Sequence, residues 1–361
     1  MKPEIRRNMT AGLYIRVNLA PLGPGGDVRP EKCPCGPMTS GSDGAYMLTI
    51  WTETIVQLLG VLLLAPLVSG ILAKIKARVE SRKGVPVLQP YYDLAKLLRK
   101  ETLINDSSTR IFYMLPFVVF GIYITISFII PVVAPFPIFL TPTADFLGGA
   151  LLFAMASFLQ VLAAINANSR FTALGASRSV IFSAFAEPTL IMVFFAVALV
   201  SGTNNPYTTN QILVFSSTAY LSLPHLLSSA AFFMLLLFET GKLPVESSGL
   251  SELGMIDEGR NYEYSGRSLF LLKYSSMMKQ YLLGSVFLNV FILPWFMQYG
   301  ILGVIIDIPV MLLKWLVLIG IMAIVEETLA KLRLFKIQDF LSVSFALAIL
   351  SIITFSLGGF I

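Results

Sequence analysis

Residues 178–200 read RSVIFSAFAEPTLIMVFFAVALV, an apolar run that contains one acid, Glu187. A helix that crosses a bilayer needs about 20 predominantly apolar residues, so this stretch is long enough to span a membrane. At 1.5 Å per residue, Glu187 lies roughly 14 Å along the span, near the middle of the hydrocarbon. An ionised carboxylate there costs on the order of 2.5–3.5 kcal/mol. We therefore expect Glu187 to face other helices, and to be neutral part of the time or paired with a cation.

The rest of the chain has the same character. Of its 361 residues, 56% are hydrophobic and only 13% are charged, about half the roughly 25% charged content of a soluble domain. The long unbroken apolar runs also exclude a β-barrel, whose strands alternate. These features predict an all-α polytopic membrane protein with about eight transmembrane helices. The seven further spans that we predict are 53–75, 111–133, 146–165, 219–238, 269–297, 301–325 and 340–361.

Basic residues occur in alternate loops between these spans. Lys and Arg are found in four loops and are absent from the three loops between them. Because cytoplasmic loops are enriched in Lys and Arg, the basic loops are predicted to face the cytoplasm. The chain is therefore expected in the cell membrane as a multi-pass protein. The loops predicted to be cytoplasmic are 76–110, 166–178, 239–268 and 326–339.

The first 46 residues differ from the remainder. They are rich in Gly and Pro, carry six basic residues and lack the apolar core of a signal peptide. We expect residues 1–46 to be a poorly ordered extension, or an artefact of an upstream start codon with Met47 as the initiator. Residues 47–361 then form the eight-helix membrane domain.

Metal and redox sites are constrained by the residue counts. The chain has one histidine, His225, and two cysteines, Cys33 and Cys35. These are too few for a four-ligand zinc site or an iron–sulfur cluster. The sequence also lacks phosphate-binding and dinucleotide-binding glycine motifs. We expect no metal, cofactor or catalytic centre in this chain.

Residues 86–101 read PVLQPYYDLAKLLRKE, with apolar side chains at helical spacing and charged ones between them. This pattern predicts an amphipathic helix that lies at the cytoplasmic membrane interface. It can serve as a lipid anchor or as a docking surface for a soluble subunit. The docking residues that we predict are Gln89, Tyr92, Asp93, Lys96, Lys100 and Glu101, with Arg170, Arg178, Lys242 and Arg267 from neighbouring loops.

Loop 239–268 is unusually acidic for a loop expected on the cytoplasmic side. It is either a solvated acidic loop or a row of carboxylates that passes protons towards the membrane. Two lysines within later spans, Lys279 and Lys314, reach depths similar to that of Glu187, and His225 is equally a packing residue or a proton relay. The predicted proton path comprises Glu187, Glu246, Glu252, Asp257, Glu258, Glu263, Lys279, Lys314 and His225. The alternative is that Glu187 only pairs with Lys279 or Arg178 and holds helices together.

Four segments resemble a known family. They are SRKGVPVLQPYYDLAKLLRKE at 81–101, NSRFTALGASRSV at 168–180, AEP at 186–188 and SELGMIDEGRNYEYSGR at 251–267. They resemble the complex I subunit 1 family, which includes the membrane subunit of group 4 membrane-bound [NiFe] hydrogenases. The GASR and AEP segments and the longer acidic stretch are more similar to the hydrogenase branch and to related sulfur-reducing complexes than to quinone-reducing complex I.

The resemblance implies a non-catalytic membrane subunit of a multisubunit oxidoreductase. Hydrogenase-like large and small subunits and iron–sulfur subunits would form a soluble arm, and antiporter-like subunits would lie alongside in the membrane. The [NiFe] or related centre and the iron–sulfur clusters would belong to those partners, and ferredoxin would donate electrons. The alternatives are a quinone-chamber subunit of a NADH dehydrogenase and a free-standing secondary transporter, which would show paired repeats. The terminal acceptor and the choice between H⁺ and Na⁺ stay open.

Overall fold

The computed structural model describes residues 42–103, 110–132, 145–216, 220–241, 259–295, 301–328 and 336–358. Four acids of the predicted path and one docking lysine lie outside these residues: Glu246, Glu252, Asp257, Glu258 and Lys242. Most of the N-terminal segment 1–46 lies outside them as well. All regular structure in the described part of the chain is helical.

Ten α-helices follow one another in the described ranges, and the eighth continues into a π-helical turn. They are α1 (Ser42–Val79), α2 (Gln89–Arg99), α3 (Arg110–Ile129), α4 (Phe146–Asn166), α5 (Arg170–Ser201), α6 (Pro206–Phe215), α7 (Leu223–Glu239), α8 (Gly266–Val286) with the π-helical turn Phe287–Ile292, α9 (Ile301–Thr328) and α10 (Lys336–Gly358).

A helix occupies each of the eight stretches predicted to span the membrane. Six of these helices are long and apolar enough to cross a bilayer: α1, α3, α4, α5, α9 and α10. Helix α7 has 17 residues and falls just short, and α8 carries three basic residues, Arg267, Lys273 and Lys279. The all-α, polytopic fold is confirmed, whereas the count of eight spans stays a prediction.

Two features differ from the sequence-based expectation. Helix α5 begins at Arg170, so residues 170–178 are helical and do not form the predicted loop. The hydropathy of this stretch falls, but it contains no proline that would end a helix. The short helix α6 was not expected. It begins at Pro206, and the side chain of Asn205 caps it by accepting a hydrogen bond from Tyr207 N at 3.0 Å.

Prolines within α1 and α3 each free one backbone carbonyl, because proline has no N–H to donate to it. Pro66 frees Leu62 O, which accepts a hydrogen bond from Tyr274 Oη at 2.6 Å. Pro116 frees Phe112 O, which accepts one from Tyr264 Oη at 2.9 Å. Neighbouring elements thus satisfy both carbonyls, as spanning helices require. The two tyrosines tie α8 and the segment before it to α1 and α3.

Removal of one hydroxyl tests this arrangement. Burial raises the pKa of Tyr264, so its hydroxyl stays protonated and able to donate. The substitution Tyr264→Phe keeps the ring, which stacks on Phe112 at a centroid distance of 4.0 Å, but leaves the carbonyl without its donor. We expect the free energy of unfolding to fall by about 1–3 kcal/mol, measured as a lower thermal midpoint of the detergent-purified assembly. Tyr262→Phe is the control, since Tyr262 is exposed. Equal midpoints would show that the bond contributes nothing.

The basic loops meet at one end of the bundle. Lys76, at the end of α1, pairs with Glu326 near the end of α9. The segment after α2 contacts the segment before α8, where Leu103 N donates to Ser265 Oγ at 2.8 Å. At the opposite end of the bundle, the start of α4 contacts the segment after α5: Phe146 N donates a hydrogen bond to Asn204 O at 2.9 Å. The loops therefore alternate between two ends, as their charges indicate, and the assignment of the basic end to the cytoplasm stays a prediction.

Candidate functional site

Glu187 lies near the middle of α5 and faces α4. Ser157 of α4 donates a hydrogen bond from its hydroxyl to the Glu187 carboxylate. The two helices pack closely in this region because small residues, Ala156 and Ala186, are fully buried there. The acid therefore points between helices, as expected from the cost of exposing it to lipid.

An ion pair lies beside Glu187. Glu239, the last residue of α7, pairs with Lys279 of α8, and their side chains are only 15% and 17% exposed. Both are close enough to Glu187 to interact with it electrostatically. Glu187, Glu239 and Lys279 thus form one group, which we call the intramembrane triad. The proton path through Glu187 and Lys279 stays a prediction.

The charges of the intramembrane triad define what it can do. Two ionised carboxylates and one ammonium give a net charge of minus one. Since a buried net charge is costly, binding one proton would relieve it. The arrangement is therefore suited to hold one exchangeable proton within the membrane domain.

Lys314 lies in a second polar group around the π-helical turn. Its Nζ donates to Asn289 Oδ1 at 3.2 Å and to Leu293 O at 2.7 Å. Asp307 lies close enough to act on Lys314 electrostatically. Asp307 is only 3% exposed. Lys314 is therefore not part of the intramembrane triad.

Asn289 holds this second group together. Its Nδ2 donates to Pro131 O at 3.0 Å and to Val132 O at 3.2 Å, at the end of α3. The backbone carbonyl oxygen of Asn289 accepts a hydrogen bond from Asn210 Nδ2 of α6 at 2.9 Å. A π-helical turn changes the regular pattern of backbone hydrogen bonds in a helix. Such turns are frequent at functional sites. Here carbonyls of the turn bind side chains from α6 and α7.

His225 belongs to the same region. It is buried, and its Nε2 lies 3.2 Å from Phe291 O within the π-helical turn. Its ring stacks on the Phe291 ring at a centroid distance of 5.8 Å. The structure therefore places His225 beside the π-helical turn and not beside Glu187, which favours a packing role over a direct relay to the intramembrane triad.

Polar side chains of α8 lie between the two groups. Lys279 and Asn289 are ten residues apart, about 15 Å along a helix. Between them, Ser285 Oγ accepts from Trp315 Nε1 at 3.4 Å, and Tyr281 stacks on Trp315 at a centroid distance of 5.5 Å. Helix α8 thus carries polar groups from the intramembrane triad to the π-helical turn.

The predicted docking residues lie at the surface wherever the structure describes them. On α2, Leu94 is buried and Tyr91 donates from its hydroxyl to Leu63 O of α1, while the charged side faces away. Gln89 Nε2 donates to Asp93 Oδ1 at 2.9 Å. The exposed docking residues are Tyr92, Asp93, Lys96, Lys100, Glu101, Arg170 and Arg267, and Gln89 and Arg178 are half-buried.

Comparison with known proteins decides the family. Residues 52–356 match the NADH dehydrogenase family. This chain belongs to the NADH dehydrogenase family. The match is of the complex I subunit 1 type and confirms the resemblance seen in the sequence.

Relatives in this family include two Escherichia coli (strain K12) proteins. Formate hydrogenlyase subunit 4 is 31% identical over 290 residues, which cover 78% of this chain and 90% of that protein. Hydrogenase-4 component C is 29% identical over 297 residues, 80% of this chain and 91% of that protein. NADH-ubiquinone oxidoreductase chain 1 of Mytilus edulis is 28% identical over 247 residues, 63% of this chain and 77% of that protein.

A solved structure shares the fold of this NADH dehydrogenase family member. It is a chain of the membrane-bound sulfane sulfur reductase, an archaeal respiratory membrane complex. The two chains superpose with a TM-score of 0.72 at 19% identity, over 85% of this chain and 99% of that one. The likeness therefore supports the helical architecture.

Three residues of the site were not assigned to it from the sequence. Glu239 is absent from the predicted proton path, although it directly follows the apolar run of α7, which is the available signal. Ser157 and Asn289 carry no signal, because single polar residues are common in membrane helices. Glu263, the one described acid of the path that precedes α8, is half-buried outside the intramembrane triad. No cluster of three or more His, Cys, Asp or Glu side chains suited to a metal occurs among the described residues.

Proposed function

We propose that this chain is the membrane subunit of a multisubunit respiratory oxidoreductase of the ferredoxin-linked hydrogenase or sulfur-reductase type. It anchors the soluble redox arm and couples electron transfer to proton or ion translocation. The observation that carries the proposal is the intramembrane triad, an excess of one acid over base among α5, α7 and α8. The match to hydrogenase-type subunits over about nine-tenths of their length supports this type of complex.

The triad supports a simple coupling step. Lys279 pairs with Glu239 in the structure, and Glu187 lies next to both. When Lys279 moves towards Glu187, the ionised form of Glu187 is stabilised and its proton leaves. When Lys279 returns to Glu239, Glu187 binds a proton again. A redox-driven displacement of α8 or α7 would drive this exchange, since each helix carries one member of the ion pair.

The chemistry of electron transfer belongs, in this proposal, to other subunits. A [NiFe] or related centre and iron–sulfur clusters would lie in hydrogenase-like large and small subunits and iron–sulfur subunits, with ferredoxin as donor. Antiporter-like subunits would contact the membrane face. This chain would contribute no catalytic centre. The basic end would face the cytoplasm of the cell membrane, which the clustering of the Lys- and Arg-bearing loops supports.

A second candidate is the quinone-chamber subunit of a NADH dehydrogenase. The similarity to NADH-ubiquinone oxidoreductase chain 1 favours it. Affinity purification of the tagged chain from mild detergent distinguishes these two candidate functions. Co-purification of iron–sulfur subunits with ferredoxin-dependent activity supports the first function, and quinone reduction by the purified assembly supports the second. A chain that purifies alone and transports ions would overturn both.

The exposed side of α2 is expected to bind the soluble arm. Lys96 and Lys100 are exposed on this helix, and charge reversal would oppose an acidic partner surface. We expect Lys96→Glu with Lys100→Glu to reduce recovery of the soluble subunits about tenfold, which corresponds to about 1.4 kcal/mol. The measurement is the ratio of soluble to membrane subunits after purification. Lys336→Glu, an exposed reversal at the start of α10, is the control. Unchanged recovery would show that α2 contacts lipid only.

A further inference from the structure

The turn before α8 joins three parts of the bundle at its basic end. We call residues 259–265 the anchor turn. Tyr264 N donates to Asn261 O at 3.1 Å and closes it. Ser265 binds the segment after α2, and Tyr264 binds Phe112 of α3. The third attachment, made by Arg260, reaches α5.

The Arg260 side chain packs against the buried side of α5. Its guanidinium donates to Ser179 Oγ at 3.1 Å, and Ser179 is buried. One turn earlier on α5, a Cβ at Gly175 would lie 3.2 Å from Arg260 N and 3.2 Å from the Gly259 carbonyl carbon. Glycine at 175 therefore lets the two backbones touch. Gly175 and Ser179 together form a fitted seat for the anchor turn.

The seat lies on the helix that carries the central acid. Glu187 is eight residues beyond Ser179, about 12 Å along α5. Eight residues at 3.6 per turn make about 2.2 turns, so the two side chains project from the same half of the helix. The anchor turn also carries Glu263, a half-buried acid at the basic end. Arg260 thus connects an acid-bearing turn to the helix of Glu187.

The contact also connects the docking region to α5. Gly266, at the start of α8, has a φ of +53°, and a Cβ there would lie 2.7 Å from Glu101 O. The segment after α2 is therefore pressed against the end of the anchor turn. A displacement of α2 by a bound subunit would reach α5 through this packed connection, whose segments are in direct contact.

We propose that Arg260 is a positioning residue for coupled turnover. It holds the anchor turn, with Glu263, in a fixed place on α5, so that events at the docking surface and proton supply reach the helix of Glu187. This proposal rests on the proposed function of the chain.

The test uses the purified complex reconstituted in liposomes. Arg260→Ala and Ser179→Ala are each expected to lower the number of ions translocated per electron at least twofold, while electron transfer to a soluble dye is unchanged. Arg260→Lys retains a donor and should recover part of the ratio. The double variant should be no worse than Arg260→Ala, because Arg260→Ala already removes the bond that Ser179→Ala removes. Ser177→Ala and Arg110→Ala, at exposed positions, are the controls.

Hydrogen exchange gives a readout that does not depend on ion movement. Amides of residues 259–264 should exchange faster in Arg260→Ala and Ser179→Ala than in the controls. Faster exchange with a normal ion-to-electron ratio would overturn the proposal and leave a structural contact only. If Arg260→Ala does not assemble, Ser179→Ala carries the test alone.

A Glu187→Gln complex measured in parallel separates this proposal from the function itself. Lowered ratios in the Arg260 and Ser179 variants, with full translocation by Glu187→Gln, would overturn the path through Glu187 and keep the role of Arg260. Lost translocation in Glu187→Gln, with normal ratios in the Arg260 and Ser179 variants, would overturn the role of Arg260.

Discussion

A complex that carries Glu187→Gln is expected to assemble, to transfer electrons slowly or without coupling, and to lose ion translocation. Glutamine keeps the shape of the side chain and can still accept a hydrogen bond from Ser157, but it cannot bind and release a proton. Since Glu187 lies beside the Glu239–Lys279 pair, its substitution removes the exchangeable site of the intramembrane triad. We expect at least a tenfold fall in translocation, measured as ion uptake by liposomes during ferredoxin-driven turnover.

The control for this variant is Glu326→Gln. Glu326 also pairs with a lysine, Lys76, but at the basic end of the bundle and away from the intramembrane triad. Its substitution should leave translocation near normal. Full translocation by Glu187→Gln would place the path elsewhere, and loss of assembly would show that Glu187 holds helices together.

The second large effect is expected at Lys279. Lys279→Met leaves Glu239 as a largely buried acid without its cation, and breaking such a pair costs about 3–5 kcal/mol. We therefore expect a lower thermal midpoint of the complex together with loss of translocation. Lys279→Arg keeps the charge and should retain most of the stability.

A neutral pair separates stability from function at this position. Lys279→Met combined with Glu239→Gln removes both charges, so the thermal midpoint should recover most of the way. Translocation should stay lost, because Glu187 no longer has an alternating partner. A double variant that translocates normally would assign the Glu239–Lys279 pair to structure alone.

The sequence was sufficient to place helices and to find the central acid. Apolar runs of span length located eight helices, and the cost of an acid at mid-membrane singled out Glu187. The same reasoning placed Lys279 and Lys314 at similar depths, but the fold puts only Lys279 next to Glu187. Depth follows from position along a helix, whereas contact depends on the rotation of each helix and on its neighbours. Neither of these is encoded in a hydropathy pattern.

The ends of helices and the irregular turns could also not be predicted from the sequence. Helix α5 extends back to Arg170 because a helix can continue past the apolar part of a span. In the π-helical turn at Phe287–Ile292, the carbonyls of Asn289 and Phe291 are contacted by Asn210 of α6 and His225 of α7, which are distant in the chain. The contact of Arg260 with α5 could not be predicted from the sequence either, because its partner Ser179 lies 81 residues away in the chain.

The most direct test of the account is an infrared difference spectrum of the complex between its oxidised and reduced states. If Glu187 takes up and releases a proton during turnover, the spectrum contains a carboxylic acid band that is sensitive to deuterium. The account predicts that this band is present in the unmodified complex and in Glu326→Gln, and absent from Glu187→Gln. The same carboxylic acid band in all three complexes would contradict it.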